Sequence, residues 1–273
     1  ALVLPRAGFN ARAGLPDLQS HWQGACVSLG ELEKYFSILE LRPVQHLPIC
    51  YPHVMAGTMH MNMLANKVFP IRLLGALHLK NRIIQHRPVG IDETVDIDAK
   101  IGDYRLIEHG VEFDFVTDVT AQDKLIWQET STYFVRGKFG GKETPSKAKS
   151  FELQSLSDAS ILHEWYIPNN RGKAYAKICG DYNPIHMSPL AAKMFGFKRD
   201  IAHGFGIMAQ AIEYSNALSD GDTGVQVDVV FKGPVFLDSN VSIRQNAEQD
   251  PARYDVYCGK NDRPSICLEV KKI

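Results

Sequence analysis

Pro88-Val89-Gly90-Ile91-Asp92-Glu93-Thr94-Val95-Asp96-Ile97 has a near copy later in the chain, Pro234-Val235-Phe236-Leu237-Asp238-Ser239-Asn240-Val241-Ser242-Ile243. Proline, both valines, aspartate and isoleucine coincide at one constant spacing: Pro88 to Pro234 is 146 residues, as is Val95 to Val241. Upstream of each copy lies an apolar segment of helical character, Pro52 to Val68 in the first half and His203 to Leu218 in the second, matched once a few residues are gapped. Agreement in order (helix, strand, proline-containing turn, strand) reads as a duplicated module. Between the copies, Gly137 to Ser150 is rich in Gly, Lys, Ser and Thr without apolar periodicity, which reads as a linker.

The strands follow from alternation. Val95, Ile97, Ala99 and Ile101 alternate with Asp96, Asp98 and Lys100, and Val111, Phe113, Phe115, Thr117 and Val119 alternate with mostly acidic residues. Gln122-Asp123-Lys124 is a turn into a strand over Leu125–Val135. Val225, Val227, Val229 and Phe231 alternate with Gln226, Asp228 and Lys232, predicting one wetter face, and Arg253–Cys258 and Ile266–Val270 are further strands. Each half is expected to be one principal helix followed by about four antiparallel strands, an α+β arrangement rather than alternating β-α-β. The expected domains are 20–137, a linker over 138–160, and 161–273.

The composition is that of an ordinary globular protein: 273 residues, 45% hydrophobic and 22% charged, with 30 Lys+Arg against 31 Asp+Glu. This balance excludes a broad nucleic-acid surface but not a small basic lip for one phosphorylated carrier. No apolar run reaches the ~18 residues of a membrane span, and the opening Ala1–Leu4 run is too short for a secretory signal. The five cysteines are scattered without C-x-x-C spacing, so neither a disulfide framework nor a zinc site is expected, and a cytoplasmic setting fits. No phosphate-binding glycine loop is present to suggest a nucleotide cofactor.

Chemistry concentrates in Gly180-Asp181-Tyr182-Asn183-Pro184-Ile185-His186, a G-D-x-N-P-x-H motif, and in Ala202-His203-Gly204-Phe205-Gly206 at the start of the second-half helix. The motif should arise by accident on the order of once in ten thousand chains of this length at average residue usage. Pro184 fixes its own φ and keeps Asn183 out of the helix, so the segment is a stiff turn that can hold a carboxylate and an imidazole around one water. Imidazole exchanges protons near neutral pH. Asn183 can bond backbone groups and shape the turn. Ser188-Pro189 offers an N-cap and an N1 proline for a short helix over Leu190–Phe195, ended by Gly196. The blander account makes Asp181 and His186 a turn carboxylate and a cap residue, and makes Gly204 and Gly206 sites of close packing.

These two segments resemble the MaoC-like family, the (R)-specific enoyl-CoA hydratase and 3-hydroxyacyl thioester dehydratase group of the hot-dog fold. The likeness covers about Tyr166 to Ile243; the first half is similar only in layout. The resemblance implies a double hot dog, each module a long helix wrapped by an antiparallel sheet, with one intact active site. It implies that Asp181 and His186 activate water, that the Gly204 N–H supports an oxyanion, and that Gly180, Asn183 and Pro184 position the turn. It implies no metal, flavin or nicotinamide; the expected partner is an acyl-CoA or an acyl carrier protein with its phosphopantetheine thioester. A homodimer is compatible with this reading. The alternatives are a hot-dog acyl-CoA thioesterase and a non-catalytic acyl-thioester binding module.

In the first half, Tyr51-Pro52-His53-Val54 takes the place of Ala202-His203-Gly204, with Val54 in place of the glycine and no copy of the motif. That half is expected to have lost catalysis and to house the acyl tail. Met55, Met59, Met61 and Met63 fit either a soft pocket or ordinary helix core. His53 and His60 are seven apart and can share a helix face, but no third ligand points to a metal. His203 reads as a packing or supporting residue. For a carrier phosphate, the basic linker (Lys138, Lys142, Lys147, Lys149) and the group Arg171, Lys173 and Lys177 are equal candidates.

Overall fold

The structure, a computed structural model, describes residue 9 and residues 14–71, 76–141, 159–219, 221–246 and 252–273. The first half runs β1 (Gln19–Ala25), α1 (Leu29–Leu39), α2 (Tyr51–Ala65), β2 (Leu77–Gln85), β3 (Val95–Ile107), β4 (Gly110–Ala121) and β5 (Lys124–Arg136). The second half runs β6 (Ser160–Ile167), α3 (Arg171–Cys179), α4 (Pro184–Met187), α5 (Pro189–Met194), α6 (Gly204–Ser215), β7 (Val225–Phe231), β8 (Ser239–Asn246), β9 (Ala252–Cys258) and β10 (Ile266–Lys272). Most of the expected linker, 142–158, lies outside the described residues.

All ten strands form one sheet in the order β1-β3-β4-β5-β2-β7-β10-β9-β8-β6, and every neighbouring pair is antiparallel. That order is a palindrome. β1, β3, β4, β5 and β2 correspond to β6, β8, β9, β10 and β7. The Pro-Val repeat obeys it in detail: Leu47 N–H donates to Val89 C=O at 2.8 Å, and Ala202 N–H donates to Val235 C=O at 2.8 Å. Isolated bridges follow in both halves, His46 with Gly90 and Ile201 with Phe236. Among the described residues each half therefore has five strands, one more than the sequence reading predicts, and a shorter helix, α1 or α3, before its principal helix.

The principal helices α2 and α6 are apolar almost all round, because each is enclosed. Helix α2 lies over β1, β3 and β4, and α6 over β6, β8, β9 and β10. Between β4 and β5, Gln122 and Asp123 take φ values of 51° and 60°, the paired left-handed residues of a type I′ hairpin. Trp127 in β5 is buried and donates its indole N–H to Ile49 C=O at 2.9 Å, pinning the entry to α2.

Strand β7 departs from its expected wet face. Gln226 and Asp228 are buried. They sit at the centre of the sheet, where β7 pairs with β2 across the junction of the halves. Their polarity is satisfied there: Arg82 of β2 donates to Asp228 at 2.6 Å, and Gln226 donates to the same carboxylate. The helices also cross between halves. Gln210 of α6 donates to Leu39 C=O of α1 at 2.9 Å, and Arg171 of α3 pairs with Glu40 at 2.6 Å.

Helix α2 crosses α3 so closely that a Cβ on Gly57 would lie 2.7 Å from the Cys179 carbonyl oxygen. Backbone cannot yield as a side-chain tip can. Gly57→Ala is expected to cost ~1–3 kcal/mol, read calorimetrically as a fall of about 2–4 °C in Tm per kcal/mol; an unchanged Tm would contradict this crossing.

Candidate active site

Helix α3 stops because Gly180 enters the left-handed region at φ 74°, its N–H closing on Ala176 C=O. The chain then turns at Asp181. One carboxylate oxygen, Oδ1, accepts the Asn183 N–H at 3.0 Å, an Asx-turn that fixes the carboxylate's direction. Asn183 in turn caps α4 by accepting the Ile185 N–H, with Pro184 in the first turn. The Asn183 amide also donates to Ala76 C=O at 3.3 Å, tying the turn to the segment entering β2 of the other half. What reads as a stiff turn thus continues into a single helical turn, and that turn carries His186. Ser188 then caps α5 by accepting the Ala191 N–H at 3.1 Å, close to the expected bounds.

His186 is buried, and its Nδ1 lies 2.9 Å from the Ile201 carbonyl oxygen. A carbonyl only accepts, so Nδ1 carries the proton and Nε2 keeps its lone pair. That lone pair lies 3.8 Å from Asp181 Oδ2. The gap is too wide for a direct hydrogen bond and suits a water held by both groups. Burial, then the neighbouring His203, push the His186 pKa down to about 3, only partly offset by Asp181 and Ile201. The ring is therefore a neutral base at ordinary pH.

His203 braces this pair. Its ring stacks on His186 with centroids 3.7 Å apart, and its Nε2 donates to the Asp181 backbone carbonyl at 2.9 Å. Asp181, His186 and His203 place ligand-capable atoms within 4.8 Å of one another, as a metal site would. The His203 Nε2 proton is engaged by the Asp181 carbonyl, however, so that nitrogen offers no lone pair.

Gly204 is the first residue of α6, where N–H groups lack intrahelical partners and the macrodipole is positive. A Cβ there would lie 2.8 Å from the Phe231 ring, so the glycine also permits close packing. At Gly206 a Cβ would meet Leu39 and Tyr175 at 3.3 and 3.4 Å, the packing explanation for that residue.

Asp181, Asn183, His186, His203 and Gly204 line one cavity of about 310 Å³. Gly180 and Pro184 shape the turn from behind. The cavity lies between the halves: its opposite wall is His53, Gly57, His60 and Met61 of α2 with His78 of β2 and Tyr133 of β5. Of the four methionines, Met61 reaches the cavity, while Met59 and Met63 are core. His53 and His60 do share a region, 5.8 Å apart. Sequence reasoning overlooked His78 and Tyr133. It also overlooked Gly172, whose absent Cβ would sit 2.2 Å from the His186 carbonyl oxygen. Arg171 is no phosphate ligand in waiting, being buried and paired with Glu40.

The first half carries the mate of this cavity, about 100 Å³, lined by Leu41, His46, Leu47, Pro48 and the facing part of α6. There α1 ends like α3, with Glu40 left-handed at φ 56° and its N–H on Phe36 C=O. Leu41 therefore follows the cap as Asp181 does. Tyr51, rather than the expected Val54, opens the helix equivalent to the one Gly204 opens.

Residues 162–256 match the MaoC like domain. Over 211 residues the chain is 29% identical to 3-hydroxyacyl-thioester dehydratase X of Mycobacterium tuberculosis, covering 77% of this chain and 73% of that protein. It is 27% identical over 169 residues to the mouse (Mus musculus) peroxisomal multifunctional enzyme type 2, covering 59% of this chain and 22% of that larger protein. Among solved structures, HtdX from M. tuberculosis superposes with TM-score 0.76 at 25% identity, covering 93% of this chain and 99% of that one. A further M. tuberculosis protein described as having a double hotdog fold superposes with TM-score 0.63 at 12% identity over 96% and 98% of the two chains. Residues 162–256 are thus a MaoC like domain, and the chain as a whole has the double hot-dog fold.

Proposed function

We propose that the protein interconverts trans-2-enoyl and (R)-3-hydroxyacyl thioesters, carried on coenzyme A or on an acyl carrier protein. The observation that carries this reading is the 3.8 Å gap between Asp181 Oδ2 and the lone pair of His186 Nε2. A water in that gap is held by two bases, neither tied to the other. During hydration the pair takes one proton as the water oxygen attacks C3, and a proton is delivered to C2. Charge that develops on the thioester oxygen meets the N–H at Gly204, in the first turn of α6. The sum is addition of one water across the double bond, and the same groups run the elimination in reverse. Substrate, water and these residues complete the proton inventory, with no metal or redox cofactor in the scheme. The (R) assignment follows the family, and the wall supplied by the first half is where the acyl chain lies.

Purified protein should consume the conjugated absorbance of a short trans-2-enoyl-CoA without releasing free thiol to a thiol reagent. Thiol release without hydration would establish the thioesterase instead, and tight binding without turnover would establish the non-catalytic module. Asp181→Asn is expected to lower kcat by about 10²–10⁴-fold while leaving Tm within a few degrees, the span general acid–base catalysis supplies; a fully active variant sinks the mechanism. Because His186 stays neutral down to about 3, kcat/KM should stay flat as pH falls through the ordinary imidazole range near ~6.5. An acid limb centred there would contradict a buried neutral base.

A further inference from the structure

The wall opposite the catalytic turn is unusual for an alkyl pocket, which is ordinarily apolar with few polar groups. His53, His60, His78 and Tyr133 all contribute to it. His53 lies 5.8 Å from His60 and 6.0 Å from His78, ring to ring. Two of the three imidazoles are satisfied by the protein. His53 Nδ1 bonds Glu129 at 2.8 Å, and His60 Nε2 bonds Thr117 at 2.8 Å. Glu129 is buried and also accepts from Asn81, which donates to Ser131 as well.

His78 is different. Its ring bonds the Lys80 backbone, but its Nε2 is buried and has no partner among the described residues. It cannot swing to find one. The ring is stacked on Tyr133 with centroids 4.6 Å apart and packs on Phe231 at 4.8 Å. It sits where the β2–β5 register skips Leu79, a bulge of the kind that re-aims a side chain beside a site. A buried polar atom left without a hydrogen bond carries a desolvation penalty, so native proteins rarely keep one without a use.

We propose that His78 Nε2 is an acyl-recognition site that accepts a hydrogen bond from a hydroxyl on the substrate's acyl chain, so that the preferred substrates are hydroxylated acyl thioesters. This rests on the enoyl-thioester reading above and names the substrate class within it. The polarity of the site follows from the bond to Lys80. That bond favours the protonated ring, so the nitrogen facing the backbone is the donor and Nε2 holds the lone pair. Burial pushes the His78 pKa down to about 3, so Nε2 stays an acceptor and needs a donor opposite it. Position follows from the aromatic layer. Phe231 stands 2.8 Å from where a Gly204 Cβ would be, and Phe205 lies parallel to His78 with centroids 6.0 Å apart. Phe231 thus packs against both the oxyanion glycine and His78, which places the recognised hydroxyl across that ring, on the chain beyond the reacting carbons.

The test compares kcat/KM of the full chain for plain trans-2-enoyl-CoAs and for chain-length-matched analogues bearing a terminal hydroxyl, over a series of lengths. A ratio of two substrates on one preparation is independent of the folded fraction. Wild type should favour the hydroxylated member by about tenfold at the fitting length, the discrimination expected of one hydrogen bond to a buried acceptor. His78→Phe keeps the stacked ring and should bring the ratio to within about threefold of unity, while His78→Gln, which restores an acceptor, should recover part of the preference. Equal turnover of both series by wild type means that Nε2 holds only water and overturns this proposal while the hydration reading stands. A preference that survives in His78→Phe also overturns it. Turnover of neither series overturns the hydration reading and this inference with it.

Discussion

Pairing of Lys80–Gln85 with Val225–Val230 is the constraint on which the rest of the molecule depends. It converts two five-stranded layers into one sheet, and it does so with side chains from both halves. Arg82 bridges to Asp228, and Gln226 completes the carboxylate's partners. Arg82 is half exposed, so this ion pair contributes at most a modest ~1 kcal/mol. Its larger effect is on register, because a one-residue slip would bury Arg82 against valine and leave Asp228 unpaired. With the register set, the turn after α3 faces the wall built by α2 and β2, and the cavity is what lies between them.

From this joint follows the division of labour. In the proposed mechanism the second half holds the reacting groups on short, over-determined segments: a left-handed cap, an Asx-turn, one helical turn and a stacked histidine. The first half has the same skeleton with other residues in the decisive places. Leu41 follows its left-handed cap where Asp181 follows Gly180, and Tyr51 opens its helix where Gly204 opens the other. The mate cavity is smaller, about 100 Å³, and is lined by Leu41 where the larger one is lined by Asp181. What the first half retains is a wall with a buried Glu129, whose own pKa burial raises but His53, His60 and the Asn81 amide bring down to about 2.

Much of this was legible from residue order. Alternation marked β3, β4 and β7, the Gln122–Lys124 turn marked β5, and the motif singled out Asp181, Asn183 and His186, which the structure brings to one cavity, because a proline turn needs few distant contacts to hold its shape. The misses have physical causes. Gln19–Ala25 and Ser160–Ile167 are edge strands with mostly exposed side chains, so no alternation marks them. Helix α3 is polar on average yet half buried, since Arg171 is neutralised by Glu40. Gln226 and Asp228 looked solvent-facing because their partner lies in the other half. The cap at Glu40 hid the match between Leu41 and Asp181, because the first half uses a glutamate where the second uses the glycine such caps favour. His78 owes its place to a bulge, which no residue pattern announces.

The account's central claim is that two like modules share one working site, on the second half's side of the joint. Counting sites tests it most directly. Titrating the Asp181→Asn chain with an enoyl-CoA by calorimetry should give one binding equivalent per chain. Two equivalents, with the second occupying the cavity behind Leu41, would contradict it.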